Sequence, residues 1–145
     1  MTIRAEDIVA ETRRWIGTPY RHQASAAGAG ADCLGLVRGV WRAVIGPEPE
    51  EAGPYSPVWA EMSGEERMAE AGRRHFRAVP AGAMQAGDVL LFRFSPRMPA
   101  RHAGILSAPG RFIHAFEPAG VAEAALCPWW RRRLAFVFRF PGVDD

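Results

Sequence analysis

Residues 28–39 read GAGADCLGLVRG, a cysteine set between a Gly/Ala run and an apolar helical pattern. Asp32 is a favoured helix N-cap, which puts Cys33 in the first turn of the helix that follows. Leu34, Val37, Trp41 and Val44 then recur every three or four residues up to Gly46 and Pro47. A first turn carries unpaired backbone N–H groups and the positive end of the macrodipole. Both favour a thiolate, and the same N–H groups can receive an oxyanion. Taken alone, the segment leaves two readings of Cys33: a nucleophile, or a small core residue of an amphipathic helix.

Upstream, Thr2 is expected to cap a first helix with Ile8, Thr12, Trp15 and Ile16 on one face and Gly17 closing it. The sequence GTPY follows as a turn, and 21–31 reads as loop. Downstream, the prolines from Pro47 to Pro57 predict an irregular connection, and Ser63 with Glu66 a capping box for a third helix reaching about Phe76. From Ala86 the period changes. GDVLLFRF, HAGILSA, RFIHAF and RLAFVFRF are short, apolar and bounded by Gly or Pro, the pattern of strands. Helices first and strands second predict an α+β fold with a segregated antiparallel sheet. One domain, 1–145, is expected from the length.

Apolar content of 48% and charged content of 23% are those of a globular chain. A net charge of +2 is too mild for a nucleic-acid footprint, so no nucleic-acid partner is expected. No apolar run approaches the roughly 18 residues of a membrane span. The N-terminal stretch MTIRAEDIVAETRRWIG is charged throughout and lacks the apolar core of a Sec signal. The expectation is synthesis in the cytoplasm and export by some other route. Cys33 and Cys127 are too few for a disulfide scaffold and too isolated for a zinc site; they could pair, but free thiols are expected.

Four histidines are available as bases. His102 opens HAGIL and His114 lies in RFIHAF. If the two strands form a hairpin through SAPGR, the rings can face each other at one end of the sheet. One would then act as base and the other would hold its ring. His22 and His75 read as solvated. Trp129 to Arg133, WWRRR, is either a docking surface or two packed indoles followed by a solvated turn.

The set GTPYRHQ…GADCLGL, GDVLLF, RHAGIL and RFIHAF, in this order, resembles the NlpC family of papain-like cell-wall cysteine peptidases, over about Trp15 to Ala115. GTPYRHQAS and DCLGLVRGVWR are particularly similar to the subgroup of phage and gene-transfer-agent tail modules. The resemblance implies the papain-like NlpC fold, with Cys33 as nucleophile, His102 as general base and His114 orienting it. It implies substrate or oxyanion contact for Tyr20, and help in binding the stem peptide for Asp32. No metal or cofactor is implied. The expected partners are the peptidoglycan stem peptide and phage-like tail-tip or baseplate proteins, and the expected location is a virion tail acting in the periplasm or cell wall. The expected activity is hydrolysis of a stem-peptide amide, the γ-D-glutamyl–diamino-acid bond. The alternatives are a muramoyl–alanine amidase with the same nucleophile and a non-catalytic tail-tip module. Leu34 stands where the family commonly has Ser, and RHQ follows Tyr20 where the family has a Gly pair.

Overall fold

The computed structural model describes residues 2–50 and 66–144. Helix α1 spans Ala5–Arg14 and α2 Cys33–Val44. Between them the short strands β1 (Ser25–Ala26) and β2 (Gly30–Ala31) form a two-stranded ribbon. Helix α3 (Arg67–His75) precedes β3 (Arg77–Val79), a 3₁₀ turn, β4 (Val89–Phe92), β5 (His102–Ala108), β6 (Arg111–Phe116) and β7 (Gly120–Ala125). The one-turn helix α4 (Pro128–Arg131) leads into β8 (Leu134–Arg139). Among the described residues the main sheet has six strands in the order β3-β8-β4-β5-β6-β7, every pair antiparallel. The α+β expectation holds. Among the same residues no helix is long and apolar enough to cross a membrane.

Both faces of the sheet are covered. Helix α2 lies across β5 and β6 and is backed by α1, burying Leu36, Val40 and Trp15 against Ile105, Ile113 and Phe138. The opposite face buries Leu90, Phe92, Leu106 and Phe112, with Trp130 of α4 packed on them. That is why GDVLLF reads as a continuous apolar run: the side chains of β4 find a core on either side.

Several boundaries depart from the sequence reading. Helix α1 starts after Arg4, not at Thr2, because Ile3 is drawn into a bridge with Val143 and its N–H donates to the Gly142 carbonyl. Ser63 lies outside the described residues. Glu66 precedes α3, and its carboxylate is committed elsewhere: it accepts from Ala100 N at 2.7 Å and pairs with Arg93 at 3.0 Å. Strand β7, GVAEAA, has the composition of a helix but pairs residue for residue with β6 from Arg111↔Ala125 to Phe116↔Gly120. Tertiary pairing has overridden local propensity there.

The ends of β4 and β8 are locked by a buried ion pair. Arg139 donates to both oxygens of Asp88, from Nε at 2.8 Å and Nη2 at 2.9 Å, and Nη2 also donates to the Ala83 carbonyl. Asp88 is 1% exposed and Arg139 3%. Removing one partner leaves a buried charge unpaired, at a cost of about 3–5 kcal/mol. Asp88→Asn is expected to lower the unfolding free energy by about that amount in urea titrations. An unchanged midpoint would show that Arg139 finds other compensation.

Candidate active site

The carboxylate of Asp32 organises the N-terminus of α2. Its Oδ1 accepts from Gly35 N and its Oδ2 from Gln23 N, each at 2.7 Å, so it caps the helix and clasps the preceding loop. His22 Nδ1 lies 3.8 Å from the same Oδ2, so this histidine is exposed yet tied to the site and not simply solvated. A β-carbon at Gly35 would strike the Ala24 carbonyl, so the loop can close on the helix only over a glycine. Asp32 is 3% exposed. Its observed use is structural, and a substrate contact would require one of these bonds to be shared.

Cys33, half-buried, is thereby fixed as the first residue of α2. The ladder between β5 and β6 runs from Ala108↔Arg111 to Ile105↔Ile113 and extends no further toward His102. At that end Cys33 Sγ faces the Arg101 carbonyl at 4.0 Å and the Ala103 N–H, so the sulfur lies against the backbone on both sides of His102. In the resting state the thiol donates to this carbonyl, where the sequence reading expected the imidazole.

His102 and His114 form a hydrogen bond, Nε2 to Nδ1, at 2.8 Å. Continuing the β5–β6 register sets Gly104 opposite His114, so the two histidines are diagonal neighbours on one face. A β-carbon at Gly104 would meet Phe112 at 2.8 Å and His114 Cβ at 3.2 Å; its absence lets His114 lie close over β5. Aromatic rings enclose the pair. Phe94 lies 5.7 Å from the His102 ring centroid, Trp130 stacks on His102 at 5.5 Å and 28°, and Phe116 stacks on His114 at 5.1 Å.

This enclosure sets the protonation states. Burial lowers His102 to about 3, with His114 and the Arg101 charge adding to it, and lowers His114 to about 4. Burial also raises the Cys33 thiol to about 12, with the Asp32 carboxylate adding and the backbone N–H groups of Ala103, Leu34 and Cys33 itself opposing. The pair rests neutral. The sequence reading expected the helix terminus to win and leave a thiolate; burial outweighs it.

Tyr20 reaches the site through a staple. Gly17 N donates to the Val121 carbonyl and Val121 N to Thr18, while Tyr20 bridges to Ala31 beside Asp32. Its hydroxyl is raised to about 12 by burial, then by the nearby Cys33, Asp32 and Glu117, against Arg101. It therefore stays a hydrogen-bond donor. The structure thus brings Cys33, His102, His114, Tyr20 and Asp32 together.

Cys127 stands apart. It holds the N-cap position of α4, whose first residue Pro128 is of a type favoured there, and the Trp130 N–H lowers its thiol below the ordinary value. Trp130 and Phe94 were not read as site residues at all. A 270 Å³ groove lies between α2 and α3, and Leu34 and Ala103, the residues following Cys33 and His102, stand in its wall. His75, half-buried, lines the same groove and faces Glu50 at 3.5 Å. Among the described residues no group of three or more His, Cys, Asp or Glu side chains converges to hold a metal ion.

The chain belongs to the NlpC/P60 family, whose pattern matches residues 17–139. It is 28% identical over 137 residues to the gamma-DL-glutamyl hydrolase of Bacillus subtilis (strain 168), covering 94% of this chain and 29% of that protein. The chain thus spans less than a third of that curated relative. The fold is similar to that of an NlpC/P60 family protein from Bacillus cereus ATCC 10987, with a TM-score of 0.71, 22% identity, and coverage of 97% of this chain and 41% of the other. It is also similar to the NlpC/p60 domain of the peptidoglycan hydrolase SagA, with a TM-score of 0.66, 26% identity, and coverage of 94% and 98%.

If the Cys33 thiol, near 12, exchanges its proton with the His102 imidazole, near 3, the two hold one proton between them throughout the interval between those values. The ratio of neutral pair to thiolate–imidazolium is then independent of pH. Tyr20, raised to about 12, and His114, lowered to about 4, both lie outside the interval from about pH 5 to 9. Alkylation of Cys33 by iodoacetamide is expected to be flat over that range, while Cys127, its thiol lowered chiefly by the Trp130 N–H, follows an ordinary rising titration. A Cys33 rate climbing tenfold per pH unit would mean that the sulfur titrates without His102. Mass spectrometry of each cysteine peptide reads both.

Proposed function

We propose that this NlpC/P60 protein is a thiol-dependent peptidoglycan hydrolase that cuts a stem-peptide amide, the γ-D-glutamyl–diamino-acid bond. The observation that carries the reading is the placement of Cys33, at the first turn of α2 and against the backbone flanking His102, with the His102 ring held through Nε2 by His114. The bond assignment is supported by the similarity to a gamma-DL-glutamyl hydrolase and to the domain of a peptidoglycan hydrolase.

In this mechanism the Cys33 proton passes to His102 Nδ1, the ring nitrogen not bonded to His114. The thiolate attacks the amide carbonyl, and first-turn N–H groups of α2 with the Tyr20 hydroxyl receive the developing oxyanion. The imidazolium protonates the leaving amine, and water then hydrolyses the thioester. Leu34 shapes the groove on the side where the family commonly carries Ser, so it would govern which stem peptide fits. The setting we propose is a phage-like tail, where tail-tip or baseplate proteins would carry the domain to the wall. It rests on the likeness of GTPYRHQAS and DCLGLVRGVWR to that subgroup.

Digestion of purified peptidoglycan followed by mass spectrometry of the muropeptides is expected to yield new termini at γ-D-glutamate. Termini at muramic acid would instead make the protein an amidase, and an intact wall would leave a binding module. Cys33→Ala is expected to abolish cleavage, and His102→Ala to cost about 10²–10⁴-fold. His114→Ala should cost less, because it removes the orienting group and not the base. Complete loss in His114→Ala with native stability would exchange the two histidine roles.

A further inference from the structure

Trp130 makes contacts that the sheet core alone does not require. Its indole lies over the His102 ring at 5.5 Å and 28°, and meets His114 edge-on at 5.2 Å and 85°. Phe92 and Phe112 brace it from the core side at 4.9 and 5.3 Å, and Trp129 from outside at 4.9 Å. The indole is thus fixed with its π face toward the imidazole. A cation within about 6 Å of such a face is attracted to it, more strongly when both are desolvated.

His102 is neutral at rest and becomes a cation only when it takes the Cys33 proton. An indole face therefore does little for the resting pair and favours the activated one, which is the differential stabilisation that raises a rate. We propose that Trp130 is a positioning residue that stabilises the imidazolium of His102 through its π face and so sets how much of Cys33 is thiolate. No bond is made or broken by the indole. The proton moves from Sγ to Nδ1, and Trp130 shifts that equilibrium. The titratable groups acting on His102 are His114 from β6 and the adjoining Arg101, while the Cys33 sulfur lies against the backbone on either side of it. None of them is an anion that would stabilise the cation before Cys33 ionises.

The inference rests on the assignment of Cys33 and His102 above, but its test needs no peptidoglycan. The probe is iodoacetamide at pH 7, with the rate at Cys33 read by peptide mass spectrometry and Cys127 as internal reference. Trp130→Leu keeps apolar volume and removes the π face, and is expected to slow Cys33 about tenfold. Trp130→Phe keeps a face and should stay within about threefold of the unsubstituted protein. Cys127 should be unchanged in both. A merely structural role predicts the opposite sign, because a loosened wall admits reagent and water and makes Cys33 faster. An unchanged or faster Cys33 in Trp130→Leu, or equal slowing in Trp130→Phe, overturns the proposal.

If Trp130→Leu does not fold, 5-fluorotryptophan in place of every Trp weakens the π face with almost no change of shape. It should slow Cys33 in the unsubstituted protein and leave Trp130→Phe unaffected; slowing of both equally counts against the inference. A protein that leaves peptidoglycan intact yet shows this alkylation pattern would sink the proposed substrate and keep the role of Trp130.

Discussion

The position of Cys33 depends on one buried carboxylate. Asp32 accepts a backbone N–H from inside α2 and another from the loop before it, so one side chain decides both where the helix begins and how the loop approaches. An N-cap alone is worth about 1 kcal/mol. Losing this one would strand the buried Gly35 N–H, at about 1–3 kcal/mol, and release the partly buried N–H of Gln23. The loop carries the ribbon β1–β2, whose Ala31 bridges to Tyr20. The Cys33 sulfur and the Tyr20 hydroxyl are thus referred to the same clasp.

Opposed to that positioning is the environment it creates. The macrodipole favours a thiolate at Cys33 by about 0.3–1 kcal/mol, less than the roughly 1.4 kcal/mol of one pKa step. Burial can move an ionisable group by about three to five steps, and here it raises the thiol and lowers both histidines. Magnitude decides the outcome: the site rests as thiol and imidazole. A neutral resting pair leaves activation to whatever stabilises both charges at once, and in the proposed proton transfer the first-turn N–H groups and the ring over His102 would act on its opposite ends.

The chemistry was more legible in the sequence than its surroundings. Asp32 before Cys33 announces a cap, and HAGIL with RFIHAF around a Gly-containing turn announces a hairpin with two histidines near its open end. Those signals are local. The enclosure of the histidines is not: Phe94, Phe116 and Trp130 come from three separate segments, and nothing in WWRRR says which indole turns inward. That is decided by α4, a single turn opened by Pro128. Strand β7 was missed for a related reason, since GVAEAA becomes a strand only because β6 offers it an edge.

What lets these segments meet is an omission in the sheet. Continuous pairing of β5 with β6 through His102 would fill the space that Cys33 occupies beside Arg101 and Ala103. The ladder lapses beyond Ile105↔Ile113, while β6 continues to pair with β7 as far as Phe116↔Gly120. Strand β6 is therefore held by its outer neighbour just where it leaves its inner one. Gly104 makes the same local sacrifice in side-chain terms, giving up a β-carbon so that His114 can lie over the strand and reach His102. The backbone and side-chain vacancies fall within a few residues of each other, one admitting the Cys33 sulfur and the other the histidine that hydrogen-bonds His102. Strand β7, the element that local propensity argues against, is what keeps that opening from closing.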